Sequence, residues 1–240
     1  FRDAPSMEEI EQQIEYLRKR LTELVGLCEK ETTSHVSTEV RNVAQDIITR
    51  LNRLLDNILY DFFEKKVRPS LSKEQAKTYE KQVQFPVCVQ LSDLKGQLGR
   101  FGVSDLEISN PSIFKVIVVN QPYHTGNEWL PHLRKYSNLG HRKLIAQSKK
   151  RAVSLVLGEV IKISGGAGVT MNNVVINGVP IKHLTVDKGM ISGDLDPRLN
   201  PRVEIQVTYL LEGDNIDLLL LCEESLKKIE EISETFGAVI

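Results

Sequence analysis

The chain has 240 residues, 41% of them apolar, and a formal net charge of −1. That length suffices for one large domain or two small ones, and the neutral balance excludes polyanion binding by bulk charge, so a nucleic-acid role needs a local basic patch. Cys28, Cys88 and Cys222 are scattered with no CxxC, which excludes a zinc knuckle and fits a reducing cytoplasm; the longest apolar run, Ile216 to Cys222, contains Asp217 and is too short to span a bilayer, so no membrane partner is expected.

Ser6-Met7-Glu8-Glu9 reads as a capping box, because Glu9 stands three residues after Ser6. Ile10, Ile14, Leu17, Leu21 and Leu24 follow at helical spacing and predict a helix to about Lys30. Thr32, Thr33 and Ser34 predict a turn and offer N-caps. A second, longer helix carries Val36, Val40, Val43, Ile47, Leu51, Leu54, Ile58 and Phe62 and should end before Pro69. Two amphipathic helices joined by a short turn predict an antiparallel pair. Arg50, Asn52, Arg53 and Asp56 on their flanks read most simply as a solvated face. Lys73 to Gln84 reads as a third, polar helix or an ordered loop, ended by Phe85-Pro86-Val87. Ser92-Asp93-Leu94-Lys95 should cap a short helix with Leu94 and Leu98 on its apolar face. Asn110-Pro111 opens another, with Pro111 at the first helical position, although the β-branched content up to Val118 leaves a strand open.

The next helix is expected from about Glu128 to Gln147 and holds the single tryptophan. Trp129, Leu130, Leu133, Tyr136 and Leu144 supply its apolar side, while Arg134, Asn138 and His141 fall on another face at i, i+4 and i+7. The composition then changes to β-branched and alternating runs over Ala152 to Ile163, Val174 to Ile176, Val179 to Val186 and Val203 to Leu211, with Asn177-Gly178 as a hairpin signal. Leu218 to Phe236 returns to helical periodicity. The expected class is α+β: a helical bundle over 7–150, then a small antiparallel β segment with a closing helix over 151–240.

Between 129 and 158 there is no acidic residue, against seven cations: Arg134, Lys135, Arg142, Lys143, Lys149, Lys150 and Arg151. Such a run can lie along a phosphate backbone, or it can be a solvated helix matched to acidic faces elsewhere. Lys135, Arg142, Lys143, Lys149, Lys150 and Arg151 are the nucleic-acid-binding candidates, with RNA the expected ligand. Gly165-Gly166-Ala167-Gly168 lacks the Lys-Ser/Thr of a phosphate loop and reads as a connection between strands. His35, His124, His132 and His183 have no partners at metal-ligand spacing, so neither metal nor cofactor is expected.

The order of features resembles a widespread family of uncharacterised bacterial proteins, whose pattern runs LD, FP, QPY, W-x-x-L, then N-x-x-x-H-R. Here the pieces are Leu55-Asp56, Phe85-Pro86, Gln121-Pro122-Tyr123, Trp129 with Leu133, and Asn138 to Arg142, matched in order though not in spacing, since three residues separate Trp129 from Leu133 and two separate Asn138 from His141, with Gly140 where that family usually has lysine. The helical part also resembles HEPN domains, helical bundles that include metal-independent ribonucleases and toxins. Their motif is an arginine, four to six residues, then a histidine; Arg134 and His141 have six residues between them, and Lys135 follows the arginine where Asn, Asp or His is usual. The resemblance implies a ribonuclease, a defence or toxin component acting as a homodimer. Arg134, Asn138 and His141 would be its catalytic set. A histidine near neutral pKa can move the 2′-hydroxyl proton, and an arginine fork can hold two phosphate oxygens. The other reading is a non-catalytic helical module that binds a protein or nucleic-acid partner.

Overall fold

A computed structural model describes residues 6–30, 36–124, 127–139, 146–157, 161–164, 168–187 and 190–240. Helix α1 (Met7–Lys30) begins on the expected capping box: the Ser6 amide donates to Glu9 Oε2 (2.7 Å) and the Glu9 amide to Ser6 Oγ (3.3 Å). Its stripe of Ile10, Ile14, Leu17, Leu24 and Cys28 is buried. Helix α2 (Thr38–Phe62) is capped by Ser37, whose Oγ accepts the Val40 amide at 3.2 Å. The caps expected at Thr32 to Ser34 lie outside the described residues. After α2 the helix widens into one π turn, Phe63–Val67, and closes with a 3₁₀ turn, Arg68–Ser70, which takes up Pro69. The antiparallel neighbours α1 and α2 pack against each other and against the last helix.

Four short helices follow. These are α3 (Lys73–Tyr79), α4 (Leu91–Gly99), α5 (Leu106–Ser109) and α6 (Pro111–Val119). Pro111 does open a helix rather than a strand. In α4 the N-cap is Gln90, without a side-chain cap bond; Ser92 already lies inside the first turn rather than capping it. Helix α7 (Trp129–Leu139) packs on α2 and on α8 (Leu218–Gly237) and buries Trp129, Leu130, Leu133 and Tyr136.

Helix α7 is shorter than its sequence suggests. It was expected to reach Gln147, but strand β1 (Ala146–Leu157) has begun by then, so the helical part ends before 150. The physical reason is pairing: β6 (Arg202–Leu211) lies antiparallel along β1 from Ala146↔Leu211 to Val156↔Arg202 and supplies ladder bonds that override the local helical preference of Ala146 and Gln147. Strands β2 (Ile161–Ser164) and β7 (Ile216–Asp217) complete this sheet in the order β2-β1-β6-β7. The second sheet holds β3 (Val169–Ile176), β4 (Val179–Asp187) and β5 (Met190–Gly193). Asn177 and Gly178 turn the β3–β4 hairpin with φ of 50° and 78°, the left-handed pair that a two-residue hairpin turn requires.

Two cores result. The larger is helical, and α8 is one of its walls through Leu218, Leu221, Cys222, Leu226, Ile229, Ile232 and Phe236. Phe236 meets Phe62 of α2 edge to face, with ring centroids 5.7 Å apart. The closing helix thus packs with the bundle, although the sequence grouped it with the β segment. The smaller core joins Leu155, Leu157, Ile163, Ile176, Val179, Ile181, Leu184, Val186 and Leu199. No helix among the described residues is long and apolar enough to cross a membrane.

Trp129 is 2% exposed and is among the largest side chains in the helical core. Trp129→Ala should therefore destabilise the fold by about 3–5 kcal/mol, since the cavity cannot fully collapse. Chemical denaturation of the two proteins measures this; an unchanged midpoint would contradict the packing described.

Candidate functional site

The polar groups that meet at α7 are organised around the extended segment Phe85–Cys88, which carries two of its residues, Phe85 and Cys88, at about 1% exposure with no sheet partner. A buried peptide group needs a hydrogen-bond partner, and here side chains supply them. The Phe85 amide donates to Asp56 Oδ1 (2.9 Å), and the Phe85 carbonyl accepts from Arg134 Nη2 (2.9 Å). The Pro86 carbonyl accepts from Gln121 Nε2 (3.0 Å), the Val87 carbonyl from Gln97 Nε2 (3.2 Å), and the Cys88 amide donates to Gln121 Oε1 (2.8 Å). Gln121 is wholly buried just past α6, and its amide nitrogen also reaches the Ile117 carbonyl at 3.1 Å.

Arg134 and Asp56 close this arrangement. Arg134 Nη1 donates to Asp56 Oδ2 and Nη2 to Oδ1, each at 2.9 Å, a two-pronged match of planar fork to carboxylate. The side chains are 15% and 24% exposed, so the pair is largely withdrawn from water. Both terminal nitrogens of Arg134 are therefore occupied, one of them twice. Where the HEPN resemblance offers this fork to a phosphate, in this structure it grips Asp56 and the Phe85 backbone. The reading of the α2 flank as a solvated face holds for Arg50 and Arg53, which are exposed, and is corrected for Asn52, which is buried, and for Asp56, which is engaged.

The remaining candidates are placed as follows. Asn138 is exposed on the last turn of α7. His141, Arg142 and Lys143 lie outside the described residues. Lys149, Lys150 and Arg151 fall in β1, at register positions facing Thr208, Val207 and Gln206. They belong to a strand, where the chain rises about 3.3 Å per residue, so the helical bundle expected over 7–150 ends before them. Lys135 donates to Asp214 Oδ2 at 2.5 Å, so its charge is matched by an acid from the turn between β6 and β7. Tyr136 Oη lies 2.9 Å from the same oxygen and 3.1 Å from the Glu212 carbonyl. The hydrogen bond from Lys135, with that from Tyr136, holds the Asp214 carboxyl below the ordinary carboxylate range. Burial, reinforced by Asp214, pushes the Tyr136 hydroxyl up to about 12.

Among the described residues no group of three or more His, Cys, Asp or Glu side chains could hold a metal ion. His183 instead pairs with Asn172 Oδ1 at 2.7 Å across the β3–β4 ladder. Asp56, Gln97, Gln121 and Asp214 are the partners that the sequence did not assign. For Gln121 a signal existed, a polar residue two positions past an apolar helix and before Pro122. Compared with family models, curated proteins and solved structures, the chain matches none.

Two outcomes follow from the geometry. In a double-mutant cycle with Asp56→Ala and Arg134→Ala, the pair should show a coupling of about 1–3 kcal/mol in denaturation; additive losses would mean that the two side chains act independently. The Asp214 link has a definite sign with pH. Its pKa is depressed in the fold, so its contribution is present above the ordinary carboxylate pKa and is lost as pH falls through the lowered value. Asp214→Asn should therefore flatten the acid limb of a melting-temperature profile, and an unchanged profile would contradict this role.

Proposed function

We propose that the chain is a non-catalytic binding module that holds a nucleic-acid backbone through its basic segment. The observation that supports this reading is the closure of the Arg134 fork by Asp56 and Phe85. A ribonuclease using Arg134 would have to open that closure before gripping a phosphate, leaving a carboxylate and a peptide carbonyl without their donors, at about 1–3 kcal/mol for each group left unsatisfied.

Binding needs none of this. Lys135 is matched by Asp214, and Arg134 by Asp56. The acid-free stretch also holds Arg142, Lys143, Lys149, Lys150 and Arg151, within ten residues. Such a cluster releases counterions from a phosphate backbone, which supplies affinity without regard to sequence and makes it salt-dependent. The homodimer that the HEPN resemblance implies is not required for this role.

The test is a titration of labelled RNA and DNA oligonucleotides by the full chain across a range of salt, with the same RNA then run on a denaturing gel. Binding should weaken steadily with salt, and the RNA should stay intact with or without a chelator. Lys149→Ala should reduce the slope of log affinity against log salt by about 0.7–0.9. RNA shortened by the native chain but not by His141→Ala would overturn the reading in favour of a ribonuclease. Failure to bind any nucleic acid would overturn it in favour of a protein partner.

A further inference from the structure

The basic residues of β1 sit where the sheet is only two strands wide. Strand β2 pairs with β1 only from Ser154 onward, and β7 pairs with β6 only at Leu210 and Leu211. Among the described residues, Ser148–Ala152 of β1 and Ile205–Tyr209 of β6 have no third strand beside them. Lys149, Lys150 and Arg151 occupy this stretch opposite Thr208, Val207 and Gln206, so the ribbon carries three cations and no acid. It is held at both ends. Tyr209 and Leu211 are buried in the helical core, and Leu155 and Leu157 in the β core. The register shift between Ala152 and Ser154 lies at the second of these ends, where a bulge sharpens the twist.

A two-stranded ribbon fits the major groove of B-form DNA, which is about 12 Å wide, with two strands spaced about 4.8 Å apart. The major groove of A-form RNA is deep and narrow and does not admit it. We propose that the β1–β6 ribbon docks in the major groove of duplex DNA, with the cations at 149–151 supplying the attraction to the flanking phosphates. This rests on the nucleic-acid reading above and narrows its ligand.

The experiment compares four probes with the full chain at one salt concentration: a mixed-sequence DNA duplex, the RNA duplex of the same sequence, and the two corresponding single strands. A fifth probe is the DNA duplex with bulky substituents on the pyrimidine 5-positions, which fill the major groove. The DNA duplex should bind roughly tenfold tighter than the other three, and the bulky substituents should remove most of that advantage. Replacing Lys149, Lys150 and Arg151 together by glutamine should lower the salt slope for duplex DNA by about 2.7. Arg142→Gln, before the ribbon, should lower it by about 0.9 and leave the preference for duplex DNA in place. Equal binding to single strands or to duplex RNA, or indifference to the substituents, would overturn the groove inference and leave the binding module standing. No binding to any of the five would remove both.

Discussion

A chain segment that crosses a protein interior without joining a sheet must find partners for every peptide group it buries, and Phe85–Cys88 is such a segment here. Its partners come from four places: Asp56 on α2, Gln97 on α4, Gln121 just past α6 and Arg134 on α7. Each of these side chains is thereby fixed to the same few ångströms of backbone, and so are the elements that carry them. An ion pair withdrawn from water gains little by charge alone, because desolvation offsets the attraction. What makes Asp56–Arg134 favourable is the matched geometry and the fact that each partner also satisfies a peptide group of Phe85. Removing either one strands several groups at once. The arginine of α7 that the sequence matches to a catalytic motif is thus also a partner of this buried backbone.

The second constraint is the long β1–β6 ladder. It leaves the helical core at Tyr209, whose hydroxyl reaches the Cys28 carbonyl at 3.3 Å, and ends in a separate apolar cluster at Leu155 and Leu157. The chain then returns through β7, where Asp217 caps α8 by accepting the Leu220 amide at 3.1 Å. The β segment is thus inserted between two helices of one bundle. Both α7 and α8 must be positioned for the ladder to leave in register, and the Lys135–Asp214–Tyr136 contact ties the end of α7 to the turn that follows β6. Packing of the bundle therefore determines how the basic strand is presented.

Much of this was legible in the sequence because it is local. The 3.6-residue stripes of α1, α2 and α8, the Ser6–Glu9 box and the Asn177-Gly178 turn each follow from a few neighbouring residues. Pro111 gave its helix despite β-branched neighbours, since its fixed φ suits a helix start. What was not legible is long-range. Asp56 and Arg134 are 78 residues apart, and no periodicity links them. Asp56 reads as solvated from its neighbours because nothing nearby says that an extended segment will lie against it. Helix α7 was read too long because the strand that claims Ala146 onward lies more than fifty residues downstream. The pieces Leu55-Asp56, Phe85-Pro86, Gln121-Pro122 and helix α7, which look unrelated along the chain, carry Asp56, the Phe85 backbone, Gln121 and Arg134 of one hydrogen-bonded arrangement.

Arg134 spends its fork on Asp56 and the Phe85 backbone. Amide hydrogen exchange at Phe85 reads this directly, because that amide has Asp56 as its partner and lies in a segment without sheet bonds. In the native chain it should be protected to a level comparable with the core of α2, and Arg134→Ala should lower that protection well beyond the loss at α2 amides. Exchange at Phe85 as fast as in an exposed loop, or protection unaffected by Arg134→Ala, would contradict the account and leave Arg134 available for chemistry.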